Sequence, residues 1–111
     1  MPDRARSSAS VPAELLESVV AYFQPRRVIL FGSQARRDAG ADSDIDLLVE
    51  LDDDAPIERL SAKAVETARS GYHGAVDIIP CRATVLASRA RAIGSFAHAI
   101  SRDGVTVYER Q

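Results

Sequence analysis

The chain has little of what several function classes require. One cysteine, Cys81, stands among 111 residues, so no internal disulfide can form. No apolar run approaches the ~20 residues needed to span a bilayer. The opening MPDRARSSAS offers no apolar stretch for a signal peptide, and we expect a cytosolic chain. Positive charge is not in excess: 14 Lys and Arg face 16 Asp and Glu, for a net charge of −2 and a pI near 5.6. A protein holding nucleic acid over a long surface is usually basic, so extended duplex binding is disfavoured. There is no internal repeat and no low-complexity segment. What remains is an ordinary globule with 46% hydrophobic and 27% charged residues, too short for two cores.

Residues 1–10 hold three Ser and two Arg with little to bury, and read as a frayed tail before one domain over 11–111. Leu15, Leu16, Val19, Val20 and Phe23 recur at three- and four-residue spacings, which predicts an amphipathic helix over 12–24, opened by Pro12 and stopped by Pro25. Val28 to Phe31 is a short apolar run expected as a buried strand. Gly32-Ser33 ends it, 34–37 suits a short helix, and 38–43 has loop composition. Ile45, Leu47 and Val49 alternate with Asp44, Asp46 and Leu48, predicting a second strand at 44–50. Pro56 is expected to open a helix to about Ser70, burying Ile57, Leu60, Ala64 and Ala68. A third strand at 76–79 ends at Pro80. Val85, Leu86, Ala90, Ile93, Phe96, Ala97 and Ile100 mark a long helical face containing Gly94, and 105–108 reads as a last strand. The fold class is therefore α+β, one mixed sheet of about four strands with helices packed on it.

Three carboxylates occupy strand positions. Asp44 and Asp46 are two apart, so a strand carries both on one face with Cα atoms ~7 Å apart. Asp77 lies in the third strand between Val76 and Ile78. If the two strands are neighbours, the three converge. Two like charges ~4 Å apart repel by roughly 4 kcal/mol at an effective dielectric of ~20. A hard divalent cation such as Mg²⁺ offsets that repulsion. Three carboxylates can hold two such ions ~3.5–4 Å apart, the arrangement of in-line phosphoryl and nucleotidyl transfer. Asp-x-Asp taken alone also fits solvent-facing carboxylates on an edge strand. Gly32-Ser33, between a strand and a helical turn, offers backbone N–H groups and a hydroxyl to phosphate oxygens, and Arg36 adds charge. It is not a P-loop, since no Gly-Lys-Ser/Thr follows. Taken alone it also fits a plain strand-to-helix turn with a Ser cap.

Gly32-Ser33, ten residues, Asp44-Ile45-Asp46 and then Asp77 form a combined pattern. It resembles the DNA polymerase β-type nucleotidyltransferase superfamily, and within it the minimal nucleotidyltransferase domains, many of them antitoxins paired with HEPN toxins. Phe31-Gly32-Ser33-Gln34-Ala35-Arg36, Ser43 to Val49, Val76-Asp77-Ile78-Ile79 and Asp103-Gly104-Val105 through Tyr108-Glu109 carry the likeness, which spans about 12–110. Arg37 departs from the Gly that family members commonly place after the Arg of the loop. The resemblance implies a polymerase β-type fold and transfer of AMP from ATP to a hydroxyl. Asp44, Asp46 and Asp77 would be the catalytic, metal-holding residues, with two Mg²⁺ ions. Gly32, Ser33 and Arg36 would bind the nucleotide. The expected partner is a HEPN-type toxin modified on a tyrosine hydroxyl. An alternative is an antitoxin that covers its toxin with little or no catalysis. A third, weaker reading is a subunit that nucleotidylates a small molecule.

The remaining chemistry-bearing residues receive structural readings. His98 is expected on a surface; His73, four before Asp77, has a place near the nucleotide as its rival reading. Cys81 is expected to be a buried thiol. Arg82, Arg89, Arg91 and Arg102 suggest a solvated basic face, with partner contact second. Tyr72 and Tyr108 suggest packing at strand ends, with base stacking by Tyr108 as the alternative. Asp52-Asp53-Asp54 suggests a hydrated turn.

Overall fold

The computed structural model describes residues 11–31, 45–72, 74–91, 100 and 104–110. The tail 1–10, the short helix expected at 34–37, the loop 38–43, both histidines, Gly94 and Arg102 lie outside the described residues. Helix α1 spans Ala13–Phe23, β1 Arg27–Phe31, β2 Ile45–Leu51, a 3-10 turn Ile57–Leu60, α2 Ala62–Ala68, β3 Val76–Arg82, α3 Ala83–Ala90 and β4 Val105–Glu109. The sheet order is β3-β2-β1-β4. β1 is antiparallel to both β2 and β4, and β2 is parallel to β3.

The sheet is covered on both faces, which explains its sequence pattern. On the first face Val28, Leu30, Ile45, Leu47, Val49, Val76 and Ile78 pack against Leu15, Val19 and Phe23 of α1 and Ala64 and Ala68 of α2. On the second face Ile29 and Leu48 pack with Leu86 of α3 and Ile100. Because β2 lies inside the sheet between two layers, every residue from Leu47 to Leu51 is buried. A strand covered on both sides reads as a nearly continuous apolar run, with half-buried Asp46 and buried Glu50 its two charged exceptions.

Helix α1 matches the predicted stripe, and its end is set one residue before Pro25. Gln24 takes the left-handed conformation (φ 48°) and donates its N–H to the Val20 carbonyl, closing the helix. The helix predicted from Pro56 to Ser70 divides instead. Ser61 is extended, donates its hydroxyl to the Glu58 carbonyl and accepts from the Ala64 N–H at 3.1 Å. This side-chain cap starts α2 afresh. It leaves Ile57, expected in the core, 70% exposed on the preceding turn. Strand β3 also runs past its predicted end, through Pro80 to Arg82. Proline costs little there because β3 is the outer strand of the described sheet and needs no donor on that side.

Two of the three aspartates after β2 do more than form a hydrated turn. Asp52 accepts from Arg110 Nη2 at 2.8 Å and Nη1 at 3.2 Å. Asp53 reaches α3, accepting from the Thr84 N–H at 2.9 Å and from the Thr84 hydroxyl. It thus supplies the helix with a cap that Arg82 cannot. The Thr84 bonds hold the Asp53 carboxyl below the ordinary value of 3.8. A carboxyl lowered by folding stabilises the native state above its unfolded pKa, and that stability is lost as pH falls through the folded value. Asp53→Ala should therefore lower the melting temperature at pH 7. The deficit should close in thermal melts below about pH 3.8, where the wild type loses the same contribution.

Candidate functional site

The second face of the sheet carries polar groups at its two ends. At one end the registers place Phe31 opposite Asp46 and Asp46 opposite Asp77. Directly paired residues on neighbouring strands share a face, and such strands lie ~4.8 Å apart. Asp46 shares the parity of Leu48, and Asp77 that of Ile79, which both belong to the second face. The two carboxylates thus stand side by side in one row, Asp46 half-buried and Asp77 exposed. Neither helix of the first face can reach them.

Asp44, Gly32, Ser33 and Arg36 lie outside the described residues, as does Arg37. Asp44 immediately precedes the described start of β2. Among the described residues no third His, Cys, Asp or Glu joins Asp46 and Asp77 in a cluster able to hold a metal ion. The pair itself suits a hard divalent cation: two oxygen-donor side chains share a face and a row.

At the other end of the same face lies a pair the sequence reading did not single out. Glu50 is buried and accepts from Arg27 Nε at 2.5 Å, with Arg26 Nε at 3.8 Å. Glu50 is four residues from Asp46, roughly 13 Å along the strand, so it cannot join the carboxylate row. A groove of about 440 Å³ opens there, lined by Arg26, Arg27, Glu50, Glu109 and Arg110. Three arginines stand there against two glutamates, so it presents no strong charge of one sign.

Other sequence readings are refined. Tyr108 pairs with Val28 and packs against the first core, on the face opposite Asp46, so it cannot stack on a base at the carboxylate row. Tyr72 packs on the same first core. Cys81 is half-buried on the second face, and burial pushes its thiol above the ordinary value, which makes it a poor nucleophile. Arg82 does not belong to a solvated face: it donates from Nη2 to the Ala55 carbonyl at 2.7 Å. Arg89 and Arg91 are exposed, as expected.

None of the described helices is long and apolar enough to cross a membrane. No curated protein matches the chain. Among solved structures, a proposed nucleotidyltransferase from Sulfolobus solfataricus superposes with a TM-score of 0.55 at 26% identity, covering 87% of this chain and 76% of that one. A toxin-antitoxin structure with AMP-PNP shares the fold, with a TM-score of 0.51 at 20% identity over 91% of this chain and 76% of that one. The sequence profile of the nucleotidyltransferase domain matches residues 13–96, a span that contains Asp44, Asp46 and Asp77. With most of its length matched and a mixed four-stranded sheet of the polymerase β-like kind, the chain belongs to the nucleotidyltransferase domain family.

Proposed function

We propose that the chain transfers AMP from ATP to a hydroxyl of a partner protein, a HEPN-type toxin, and thereby acts as its antitoxin. The observation that carries this reading is the row in which Asp46 and Asp77 stand opposite each other within a nucleotidyltransferase domain. The fold shared with a toxin-antitoxin structure bearing an ATP analogue supports the partner class. A tyrosine hydroxyl is the acceptor we favour.

Asp44, Asp46 and Asp77 would hold Mg²⁺, two ions in the full arrangement. When bound, the metal neutralises triphosphate charge and lowers the pKa of the acceptor hydroxyl. Gly32 N–H and the Ser33 hydroxyl orient the β- and γ-phosphates, with Arg36 adding positive charge. Asp77, exposed at the edge of the row, faces the incoming acceptor and takes its proton at a carboxylate oxygen. The acceptor oxygen bonds to the α-phosphorus, the bond from that phosphorus to the bridging oxygen breaks, and pyrophosphate leaves with the electron pair. The added AMP places negative charge and bulk on the toxin, which opposes RNA binding at a ribonuclease site.

The test is neutralisation in cells that express the protein encoded beside this chain. Asp44→Asn, which removes one carboxylate and keeps the shape, should abolish rescue from growth arrest. Full rescue by that variant would favour an antitoxin that acts by covering its target.

A further inference from the structure

Asp77 sits on the outermost strand of the described sheet, near its first residue, and its side chain is exposed. A strand end in that position frays unless its free edge is held. On the inner side the Ala75 carbonyl accepts from the Ile45 N–H at 3.2 Å, which ties the start of β3 to β2. Strand alternation then turns the carbonyls of Gly74 and Val76 outward, away from β2. Both outward carbonyls accept from one side chain: Arg69 donates from Nη2 to Gly74 at 3.1 Å and from Nη1 to Val76 at 3.4 Å. Its planar fork spans the two positions as a neighbouring strand would, and the Val76 carbonyl belongs to the peptide bond that leads into Asp77.

The base of the fork is itself fixed. Arg69 follows α2 directly, and the preceding Ala68 carbonyl accepts from the Ser18 hydroxyl of α1 at 2.5 Å. The turn between them reverses at Gly71, whose φ of +92° suits glycine. The Tyr72 hydroxyl then closes on Gly74, where a Cβ would lie 2.5 Å from it.

We infer that Arg69 is a positioning residue: it clamps the outer edge of β3 and so fixes Asp77 opposite Asp46. The inference rests on the carboxylate row being the metal site proposed above, and the test separates the two. Amide hydrogen exchange and Mn²⁺ titration by electron paramagnetic resonance are compared for the wild type, Arg69→Ala, Arg69→Lys, Asp77→Asn and the Arg69→Ala/Asp77→Asn double variant. In Arg69→Ala, exchange at Asp77 and Ile79, whose N–H groups alternation turns toward β2, should quicken at least tenfold while that of β1 stays unchanged, with Arg69→Lys intermediate. Mn²⁺ affinity should fall about fivefold in Arg69→Ala, and adding that change to Asp77→Asn should weaken binding no further, because both act through one carboxylate. Unchanged exchange at Asp77 and Ile79, or losses that add in the double variant, would overturn the inference. A wild type that binds no Mn²⁺ would contradict the metal reading instead, and the exchange comparison would still decide whether Arg69 holds the strand end.

Discussion

Asp46→Asn should reduce nucleotidyl transfer at least ~1000-fold while leaving the fold in place. The loss corresponds to about 4 kcal/mol of transition-state stabilisation, the scale expected when charge neutralisation at a phosphoryl group is removed. Asparagine keeps the volume and one oxygen, so the row loses a charge and little packing. Asp46 is half-buried beside Phe31 and Asp77, and asparagine fits the same space, so the melting temperature should move little compared with the loss of activity. A large loss of activity with little change in stability is the signature of a residue kept for chemistry. Single-turnover assays with labelled ATP, alongside thermal melts, check both halves.

The largest effect on stability is expected at the other end of the same face. Arg27→Ala strands the Glu50 carboxylate, whose side chain is only 9% exposed. Breaking a buried ion pair costs up to several kcal/mol; here about 3 kcal/mol is expected, because Arg27 is 38% exposed and Arg26 stands within 3.8 Å to take over part of its role. For a domain of this size that lowers the melting temperature by roughly 12 °C or more. Replacing both partners by leucine should recover most of the loss, since it removes the stranded charge along with its partner. Urea unfolding of the single and double variants measures both quantities. A single variant as stable as the wild type would mean that Arg26 alone satisfies Glu50.

How much of this was legible in the sequence depended on the range of the interaction. Helix α1 and strands β1 and β2 follow from local periodicity, because burial on one helical face or inside a sheet leaves a repeating mark. Neighbouring placement of Asp46 and Asp77 is a tertiary fact. Spacing could say only that each carboxylate lay on a strand; the resemblance supplied the rest, and the parallel pairing of β2 with β3 puts them in one row. The departures share a cause in side chains that bond across the chain. Ser61 interrupted a helix that apolar spacing had made continuous. Asp53 found Thr84, 31 residues away, and Arg27 found Glu50, 23 away, neither of which periodicity can announce. Pro80 read as a strand end because it lacks a donor, yet on an outer strand that donor is dispensable.

The most direct test of the account is the intact mass of the protein encoded beside this chain, after incubation with the chain, ATP and Mg²⁺. The Asp46→Asn/Asp77→Asn variant serves as control. The account predicts a gain of whole AMP units with the wild type and none with the control. No gain, in a mixture where the two proteins still form a stable complex, would contradict the transferase.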